Sequence, residues 1–440
     1  MEFKEMYLID CVNDIIDYRG KTPKKLKDNW SEDGDYRAIS AKNIKNMNLV
    51  NQNSMNNAKA SLYKKWMKKE IDKGDILLTS EAPLGETLYW DFEEKIILSQ
   101  RVFGLKANNE IVNSKYLFAY MQTPFFKHEL FARESGTTVT GIRRKELEKV
   151  IIKVPSMYIQ NYIGQIFYNI NYKINNNNKI IGNLEELSQT LFKRWFVDFE
   201  FPDENGNPYK SSGGEMIDSE LGNIPRDWEV NELGNYVDII KGLSYKGAFL
   251  DKQHERSDSF PLLSISNFNF ISGFKSNKTK YYFGDYKERH LVNPGDILIA
   301  ATDLTQDRKI LGAPAIVPNL NKTMIFSLDV FKITETTIPK YVLYFLLQSA
   351  KYREFVEGSA TGTTVIRIAK NVILKVPIVI DKDISIYFDK LIKPYMEKIE
   401  HLSQENQKLT QLRDTLLPKL MSGEVEIPND IEVNSDELSI

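Results

Sequence analysis

Two stretches of the sequence repeat each other and decide the fold: GTTVTGIRRKELEKVIIKVP at residues 136–155 and GTTVIRIAKNVILKVP at residues 362–377. Other matches follow in the same order, about 221 to 226 residues apart. They are KGDILL (73–78) with PGDILI (294–299), KYLFAYMQT (115–123) with KYVLYFLLQS (340–349), and Ser40 and Asn43 with Ser264 and Asn267. The chain is therefore predicted to contain one structural unit twice, with a period far too long for a solenoid.

The composition indicates an ordinary soluble protein of two or three domains. The chain has 440 residues, of which 42% are hydrophobic and 27% charged. It lacks an apolar run of the roughly 18 residues that a membrane span needs, and MEFKEMYLID at its start lacks the features of a secretory signal. Cys11 is the only cysteine, which excludes a disulfide framework and makes a reducing cytoplasm the expected compartment. The four scattered histidines have no ligand spacing, so a metal site is not expected.

Charge follows the same repeat. Residues 1–155 carry 26 basic and 22 acidic side chains, and residues 226–377 carry 20 and 16. The stretches 197–225 and 424–440 are strongly acidic. Each half thus contains a mildly basic block that is followed, after a nearly neutral segment, by an acidic stretch.

The order of strand-like and helix-like runs in each half predicts an α+β (mixed α/β) globular domain followed by a long helix. Runs such as GDILLTS and GDILIAA indicate strands, and SKYLFAYMQTPFFKHELFARES indicates helix. The predicted organisation is a first globular domain (1–155), a helical spacer (156–200), an acidic linker (201–225), a second globular domain (226–377), a second helical spacer (378–423) and a disordered acidic tail (424–440).

The two spacers show the pattern of a coiled-coil seam. Apolar residues recur at steps of three and four from Ile163 to Leu191 and from Phe388 to Leu416, with Asn177 and Asn406 on the two stripes. We expect the helices to pair antiparallel, which gives the repeat an approximate two-fold axis, with a kink or break at Pro394. The alternative is that each helix only packs on its own domain. A helix over 156–196 is about 60 Å long and could act as a spacer.

Motifs for catalysis are largely missing from the sequence. A dinucleotide or S-adenosylmethionine loop of the GxGxxG kind, a P-loop, GxSxG and HExxH do not occur. The remaining enzyme pattern is that of a Mg²⁺-dependent nuclease, in which Asp75 precedes Glu93-Glu94-Lys95 and Asp296 precedes Asp307-Arg308-Lys309. Asp75 and Asp296 have a simpler interpretation as turn residues before a buried strand.

Basic and hydroxyl-bearing loops carry a better signal, because they recur in both halves. YRGKTPKKLK (18–27) corresponds to KGLSYKG (241–247). The two stretches that begin with GTTV, 136–155 and 362–377, are called the GTTV lines and add hydroxyls and cations. Such groups bind phosphate oxygens and fix a protein's register on a duplex. The candidate DNA-binding residues are Arg19, Lys21, Lys24, Lys25, Lys42, Asn43, Ser80, Thr137, Thr138, Arg143, Arg144, Lys241, Tyr245, Lys246, Asn267, Thr302, Thr363, Thr364 and Arg367.

A second candidate surface lies at the ends of the helices. Aromatic residues at positions i, i+3, i+4 and i+7 form one face of the first helix, and leucines occupy the corresponding end of the second. Core packing and docking of a partner are both consistent with these faces, and we expect a mixture of the two. The candidate partner-binding residues are Phe192, Trp195, Phe196, Phe199, Leu416, Leu417 and Leu420.

The stretches LFKRWFVDFEFPDENGNPYKSSGGEMIDSELGNIPRDWEV (191–230) and LRDTLLPKLMSGEVEI (412–427) resemble the two conserved regions of specificity subunits of type I restriction–modification systems. The resemblance covers the whole chain. It implies a subunit without catalytic activity, in which residues 1–155 and 226–377 are target-recognition domains. Each of these domains is then expected to read one half of a split, asymmetric sequence in double-stranded DNA. It also implies that the helices set the half-site spacing and recruit two modification subunits, together with restriction subunits.

The same resemblance places the cofactors outside this chain. S-adenosylmethionine, ATP and Mg²⁺ are then expected on the partner subunits, which carry out adenine-N6 methylation and ATP-dependent cleavage of DNA. Two rigidly separated readers are expected to address segments about 34 Å apart or a little more, which is one turn of duplex. The alternatives are a self-sufficient nuclease or methyltransferase and a two-domain adaptor that binds protein instead of DNA.

Overall fold

The computed structural model describes residues 2–136, 140–270, 273–320, 322–362 and 365–427. The chain divides into two compact units: unit 1 comprises residues 1–178 and 404–440, and unit 2 comprises residues 179–403. Both contain strands and helices, so the predicted mixed α and β class is confirmed. Within the described ranges, no helix is both long and apolar enough to cross a membrane.

Besides the end of the last helix of the chain, the described residues of unit 1 form eleven strands and the first helices. They are β1 (Lys4–Tyr7), α1 (Leu8–Cys11), β2 (Val12–Asp17), β3 (Tyr36–Ile39), β4 (Ile44–Lys45), β5 (Asn48–Leu49), β6 (Asn56–Ala58), α2 (Ala60–Trp66), β7 (Ile76–Ser80), β8 (Leu84–Tyr89), β9 (Ile97–Leu98), β10 (Val102–Ala107), α3 (Ser114–Tyr120), α4 (Pro124–Phe131), α5 (Arg144–Leu147), β11 (Ile151–Val154) and the start of α6 (Met157–Phe196).

Two sheets form the core of unit 1. One is antiparallel with the strand order β2-β10-β7-β8, and the other has the order β6-β3-β9, with β3 and β9 parallel. Strand β7 is buried along its whole length because alternate side chains enter different apolar clusters. Ile76 and Leu78 pack with α3, whereas Leu77 packs with α2. Strand β1 pairs with β11, so the first and last strands of the domain meet.

Unit 2 repeats this arrangement with the second half of the chain. Its elements are the end of α6, β12 (Met216–Ile217), β13 (Ile224–Pro225), β14 (Glu229–Glu232), β15 (Val237–Lys241), β16 (Phe260–Leu263), β17 (Lys280–Tyr282), β18 (Leu291–Val292), β19 (Ile297–Ala300), β20 (Thr302–Asp303), β21 (Pro314–Ile316), β22 (Met324–Phe326), β23 (Val330–Thr336), α7 (Lys340–Leu346), α8 (Ala350–Gly358), β24 (Ile366–Arg367), α9 (Lys370–Leu374), β25 (Pro377–Ile380) and the start of α10 (Lys382–Ser422).

The sheets of unit 2 repeat those of unit 1, with one additional strand, β18, in the second sheet. The antiparallel sheet has the order β15-β23-β19-β21, and in the second sheet, β17-β16-β22-β18, the strands β16 and β22 are parallel. Strand β14 pairs with β25, so the first and last strands of this domain also meet. Because both sheets and the closing pair recur, the duplication extends from the sequence to the hydrogen-bonded framework.

Individual side-chain contacts repeat as well. The Ser40 amide donates to Asn43 Oδ1 at 3.1 Å, and the Ser264 amide donates to Asn267 Oδ1 at 3.0 Å. Both asparagines are fully buried and donate onward to a backbone carbonyl, that of Val50 or Lys275. The matched Ser and Asn letters in the two halves therefore encode the same buried turn.

Asp75 and Asp296 are turn residues, as their simpler interpretation suggested. Asp75 Oδ2 accepts the Asp72 amide at 2.8 Å and an ion pair from Lys106 at 2.8 Å, while Asp296 Oδ2 accepts the Asn293 amide at 2.9 Å. Burial raises the pKa of the Asp75 carboxyl, and the hydrogen bonds from Asp72 and Lys106 oppose that shift. In the part of the chain that the structure describes, no group of three histidine, cysteine or acidic side chains is placed to hold a metal ion. The nuclease interpretation therefore gains no support.

In unit 1 the beginning of α6 pairs with the end of α10. Asn177 Nδ2 donates to Asn406 Oδ1 at 2.9 Å and to Glu405 Oε2 at 2.7 Å. Arg413 Nη1 donates to Asn171 Oδ1 at 2.9 Å, so the residue numbers rise along one helix as they fall along the other. The helices are antiparallel here, and the two asparagines that the sequence placed on the seam contact each other.

In unit 2 the two helices share an aromatic cluster. The Phe388 ring packs against the rings of Phe192, Trp195 and Phe196. The alternative interpretation also holds in part, because this cluster continues into the domain core of unit 2. Helix α10 runs through Pro394 without the predicted break. Buried residues on both sides of the proline, Ile392 and Leu402, supply packing that outweighs the roughly 3 kcal/mol that proline costs in a helix.

Candidate nucleic-acid interface

Three segments that are distant in the sequence meet at one edge of the unit 1 domain. The Ser80 amide at the end of β7 donates to the Arg101 carbonyl at 2.8 Å, and the Ser80 carbonyl accepts the Ile142 amide at 2.9 Å. Ser135 and Gly141 exchange two further backbone hydrogen bonds, of 2.8 and 3.1 Å. These bonds tie the first GTTV line to the turn before β10.

Gly141 is required at this edge because the chain approaches Ser80 and Glu81 closely. A Cβ atom on Gly141 would lie 2.8 Å from both the Ser80 carbonyl oxygen and the Glu81 Cβ. Any side chain would push residues 141–143, which we call the closing segment, away from β7. The glycine thus fixes the position of Ile142 and Arg143 at the edge.

Two polar depressions of about 340 and 470 Å³ lie along this edge and share Gln100 and Arg101. We call them together the unit 1 groove. Its charged lining consists of the five cations Arg19, Lys21, Lys42, Arg101 and Arg143 and the two carboxylates Asp17 and Glu81. The excess of cations favours an anionic ligand.

Arg19 is a candidate for DNA contact, but its guanidinium group is hydrogen-bonded to other groups of the protein. Its guanidinium donates to both carboxylate oxygens of Asp17 at 2.8 and 2.9 Å and to the Ile142 carbonyl at 3.1 Å. It also lies 3.9 Å above the centre of the Phe103 ring. Each guanidinium nitrogen has a protein partner, so Arg19 is a brace for the closing segment.

Lys21 is also held within the domain. Its Nζ donates to the Trp66 carbonyl at 2.6 Å and lies 4.0 Å above the Tyr18 ring. Burial and the nearby positive charge of Lys68 lower the pKa of Lys21. Its ammonium group therefore has less capacity for a phosphate than an exposed lysine.

The remaining basic candidates of unit 1 reach the solvent more freely. Arg143, Lys24, Lys25 and Lys42 are exposed. Among the described residues, Lys25 donates only to the Gly20 carbonyl and Lys42 only to the Ser54 carbonyl, at 2.8 and 3.0 Å, and no carboxylate there compensates their charges. Arg144 pairs with Glu148 at 2.9 Å within α5, which compensates its charge.

Four of the polar candidates are buried, and their side chains are not available to a ligand at the surface. Asn43 and Asn267 hold the repeated turn described above. Ser80 and Thr302 are also buried, and their hydroxyl oxygens have no hydrogen-bond partner among the described residues. The sequence identified Asn43 and Asn267 because they repeat. The structure shows that all four are packed inside the two domains.

The structure describes some of the candidate DNA-binding residues of unit 2 and not others. Lys241, Lys246 and Arg367 are exposed, and Tyr245 accepts a hydrogen bond from Lys280 at 3.3 Å. The edge itself repeats, since the Ala301 amide donates to the Asp329 carbonyl and the Ala301 carbonyl accepts the Ile368 amide. The four hydroxyl candidates of the GTTV lines lie outside the described residues: Thr137, Thr138, Thr363 and Thr364.

The sequence did not single out Gln100, Arg101 and Glu81, although they lie at the centre of the unit 1 groove. Their position depends on long-range hydrogen bonds that no local pattern reveals. The available signal was the polar turn SQR between the two apolar runs of KIILSQRVFGLKA. A polar turn with a charged residue, close to the repeated GTTV stretch, is a place where ligand-binding side chains are expected.

A loop that unit 1 lacks follows β19 at the same edge of unit 2. The buried Asp303 carboxylate accepts the amides of Thr305 and Ile310 at 2.7 and 2.8 Å, and Arg353 donates to the Arg308 carbonyl at 3.0 Å. This ordered loop exposes Leu304, whose 67% exposure exceeds that of any other large apolar side chain in the described chain. The two edges thus share a backbone framework and differ in their surface chemistry.

The candidate partner-binding residues lie mainly in the cores of their own units. Phe192, Trp195, Phe196 and Phe199 are buried in the aromatic cluster of unit 2. Leu417 and Leu420 are buried in an apolar cluster of unit 1, with Leu416 packed against it. The core interpretation of these faces is therefore correct within the single chain, and docking of a partner on their remaining exposed atoms stays a prediction.

Comparison with known proteins adds independent information on the family. Residues 9–186 match the family described as "Type I restriction modification DNA specificity domain". The chain is 26% identical over 418 residues to the type I restriction enzyme MjaIX specificity subunit of Methanocaldococcus jannaschii, covering 93% of this chain and 90% of that protein. It is 23% identical over 425 residues to the HindI specificity subunit of Haemophilus influenzae, covering 81% of this chain and 88% of that protein.

A solved structure shares the fold. The type I restriction–modification S subunit from M. genitalium superposes with a TM-score of 0.61 at 13% identity, over 95% of this chain and 96% of that chain. The resemblance that the sequence indicated is therefore confirmed: residues 9–186 match the type I restriction–modification DNA specificity domain, and the chain is similar over nearly its whole length to type I specificity subunits.

Proposed function

We propose that this chain is the DNA sequence-specificity subunit of a type I restriction–modification complex and has no catalytic activity of its own. Each recognition domain reads one half of a bipartite, asymmetric DNA target. The long helices set the half-site spacing and recruit two modification subunits together with restriction subunits. The observation that carries the proposal is the unit 1 groove, where five cations and two carboxylates line the edge built by the first GTTV line.

The groove supports DNA binding through its exposed cations. Arg143 directly precedes helix α5, Lys42 lies in an earlier loop of the groove, and Lys24 is exposed beside the groove residues Thr22 and Pro23. In the described chain none of these three is paired with a carboxylate. Such cations bind phosphate oxygens and release counterions, which makes affinity depend steeply on salt. These side chains are therefore proposed to position the duplex, whatever its sequence.

Unequal chemistry at the two repeated edges supports an asymmetric target. Arg367 occupies in unit 2 the backbone position that Gly141 occupies in unit 1. Asp329 likewise occupies the position of Arg101. The two edges therefore differ in charge at two positions, with arginine against aspartate at one and glycine against arginine at the other. We therefore propose that the two half-sites differ in sequence.

The partner subunits are proposed to carry the chemistry of the complex. Methylation of adenine N6, with S-adenosylmethionine, would belong to the modification subunits, and DNA cleavage, with ATP and Mg²⁺, to the restriction subunits. We place the complex in the cytoplasm, where the DNA substrate is found and where Cys11 stays reduced. Copurification with the modification subunit is the simplest check of this assignment.

A salt titration tests the DNA assignment. We expect the affinity of the full chain for labelled duplex, measured by fluorescence anisotropy between about 50 and 200 mM salt, to fall steeply. Arg143→Ala is expected to weaken binding to all duplexes similarly and to reduce the slope of log K against log salt by about 1. The matched control is Lys408→Ala, which removes an exposed lysine from α10, away from the unit 1 groove.

Two results would argue against the proposal. A chain that binds duplex with no salt dependence, or does not bind it at all, would favour the alternative of a protein adaptor. Equal losses in the Arg143→Ala and Lys408→Ala variants would show that binding follows net charge and does not involve the groove.

A further inference from the structure

Arg101 stands in an unusual backbone conformation at the centre of the unit 1 groove. Its φ is +65°, in the left-handed region that favours glycine and disfavours residues with a side chain such as arginine. The turn is nevertheless fixed from three directions. The Ser99 amide donates to the Ile39 carbonyl at 2.8 Å, the Gln100 carbonyl accepts the Ala41 amide at 3.2 Å, and the Arg101 carbonyl accepts the Ser80 amide at 2.8 Å. A strained residue that its surroundings hold in place is a candidate for function.

The guanidinium of Arg101 is oriented but mostly unused. Arg101 Nε pairs with Glu81 Oε1 at 2.9 Å, and the arginine side chain is 49% exposed. Within the described ranges, neither terminal nitrogen of the guanidinium has a partner, and neither does Glu81 Oε2. Arg19, by contrast, uses all three guanidinium nitrogens within the fold. Arg101 therefore presents a fork of two free donor groups beside one free acceptor.

This arrangement matches a base pair better than a phosphate. The Glu81 carboxylate repels a phosphate at this position, while it does not repel the uncharged edge of a base. In the major groove a G·C pair offers two acceptors, guanine N7 and O6, beside one donor, cytosine N4. Arginine forks bind the first two, and a carboxylate accepts from the third.

We propose that Arg101 and Glu81 together read one G·C base pair in the half-site bound by unit 1. This inference rests on the proposed function, because it names base contacts at the DNA interface assigned above. Arg143 and the lysines of the groove then position the duplex through its phosphates. Arg101 is a specificity-determining residue, and Glu81 both orients it and contacts the cytosine.

The assignment is confined to one half of the target. In unit 2 the corresponding turn ends in Asp329, whose carbonyl accepts the Ala301 amide as the Arg101 carbonyl accepts that of Ser80. Thr302 pairs with Arg367 as Glu81 pairs with Gly141, so Thr302 takes the position of Glu81. With neither the arginine fork nor the carboxylate present, this edge of unit 2 cannot read a base pair in the same way.

The test begins by identifying the methylated target of the wild-type complex with its modification subunit. Affinities are then measured for duplexes in which each base pair of the target is replaced singly. Arg101→Gly removes the side chain and accepts the φ of +65°, and Arg101→Asn is a second variant that tolerates this conformation. Thermal unfolding of both variants verifies that unit 1 remains folded.

The wild-type complex is expected to lose about tenfold to a hundredfold in affinity when one G·C pair of one half-site is replaced. Both Arg101 variants should lose this discrimination while keeping that at the other half-site. Arg143→Ala should instead weaken all duplexes alike. A uniform loss in the Arg101 variants, unchanged discrimination, or a half-site without any G·C pair would overturn the inference. DNA binding by the wild-type complex would persist in those cases, so they are distinct from failure of the proposed function.

Discussion

The variant Phe388→Ala should lower the free energy of unfolding of unit 2 by about 3 to 5 kcal/mol, the usual range for deleting a buried phenyl ring. Phe388 is fully buried, and its ring centre lies 5.3 to 5.9 Å from those of Phe192, Trp195 and Phe196. Removing the ring leaves a cavity between the two long helices and the domain core, which the surrounding aromatic rings cannot easily fill. Urea unfolding followed by tryptophan fluorescence measures the loss, because Trp195 lies in this cluster.

The matched control for this prediction lies two residues away on the same helix. Ile386 is 37% exposed, and Ile386→Ala is expected to change stability by less than about 1 kcal/mol. A loss below about 1 kcal/mol in Phe388→Ala would mean that the aromatic cluster does not hold α6 and α10 to the core of unit 2. The face formed by Phe192, Trp195 and Phe196 would then be available for docking.

Arg19→Ala should destabilise unit 1 by about 2 kcal/mol, because it removes charge-assisted hydrogen bonds to Asp17 and the bond to the Ile142 carbonyl. Arg19→Lys should cost nearly as much. A lysine keeps the positive charge but cannot bind both carboxylate oxygens and the carbonyl at once. Urea unfolding gives the loss, and faster amide exchange around Ile142 would locate it at the closing segment.

The comparison of the two Arg19 variants separates a brace from a DNA contact. Arg143→Ala serves as the control, since Arg143 is exposed and its loss should leave stability nearly unchanged. If Arg19→Lys restored both stability and DNA affinity, the positive charge alone would matter. Arg19 would then be a phosphate contact, and its hydrogen bonds to Asp17 and Ile142 would be incidental.

Periodic features of the sequence predicted much of the fold. The repeated GTTV and Gly-Asp stretches indicated two copies of one domain. The stripes of apolar residues indicated the paired helices and placed Asn177 and Asn406 on the seam, where the structure shows that they contact each other. These features are local patterns, or a comparison of the chain with itself, so one sequence contains them. A kink or a break was expected at Pro394; α10 is not broken there, because packing on both sides of the proline outweighs the local preference.

The site residues were harder to predict because availability depends on tertiary partners. Arg19 and Arg101 are the same residue type in similar polar turns, yet Arg19 is saturated by Asp17 and Ile142 while Arg101 keeps two free donor groups. Repetition also misled the choice of Asn43, which repeats because its turn is structural. Conversely, Arg101 was missed because the two halves differ there. Residues that read sequence are expected to differ between the halves.

The central claim is that the chain reads two unlike half-sites, and sequencing of methylated DNA tests it most directly. The genome of cells that carry this chain with its modification subunit should show one methylated motif made of two short, different segments separated by an unspecified spacer. Exchanging residues 1–155 for the corresponding domain of a related specificity subunit should change one segment only. A continuous or palindromic motif, or a change in both segments after the exchange, would contradict the account.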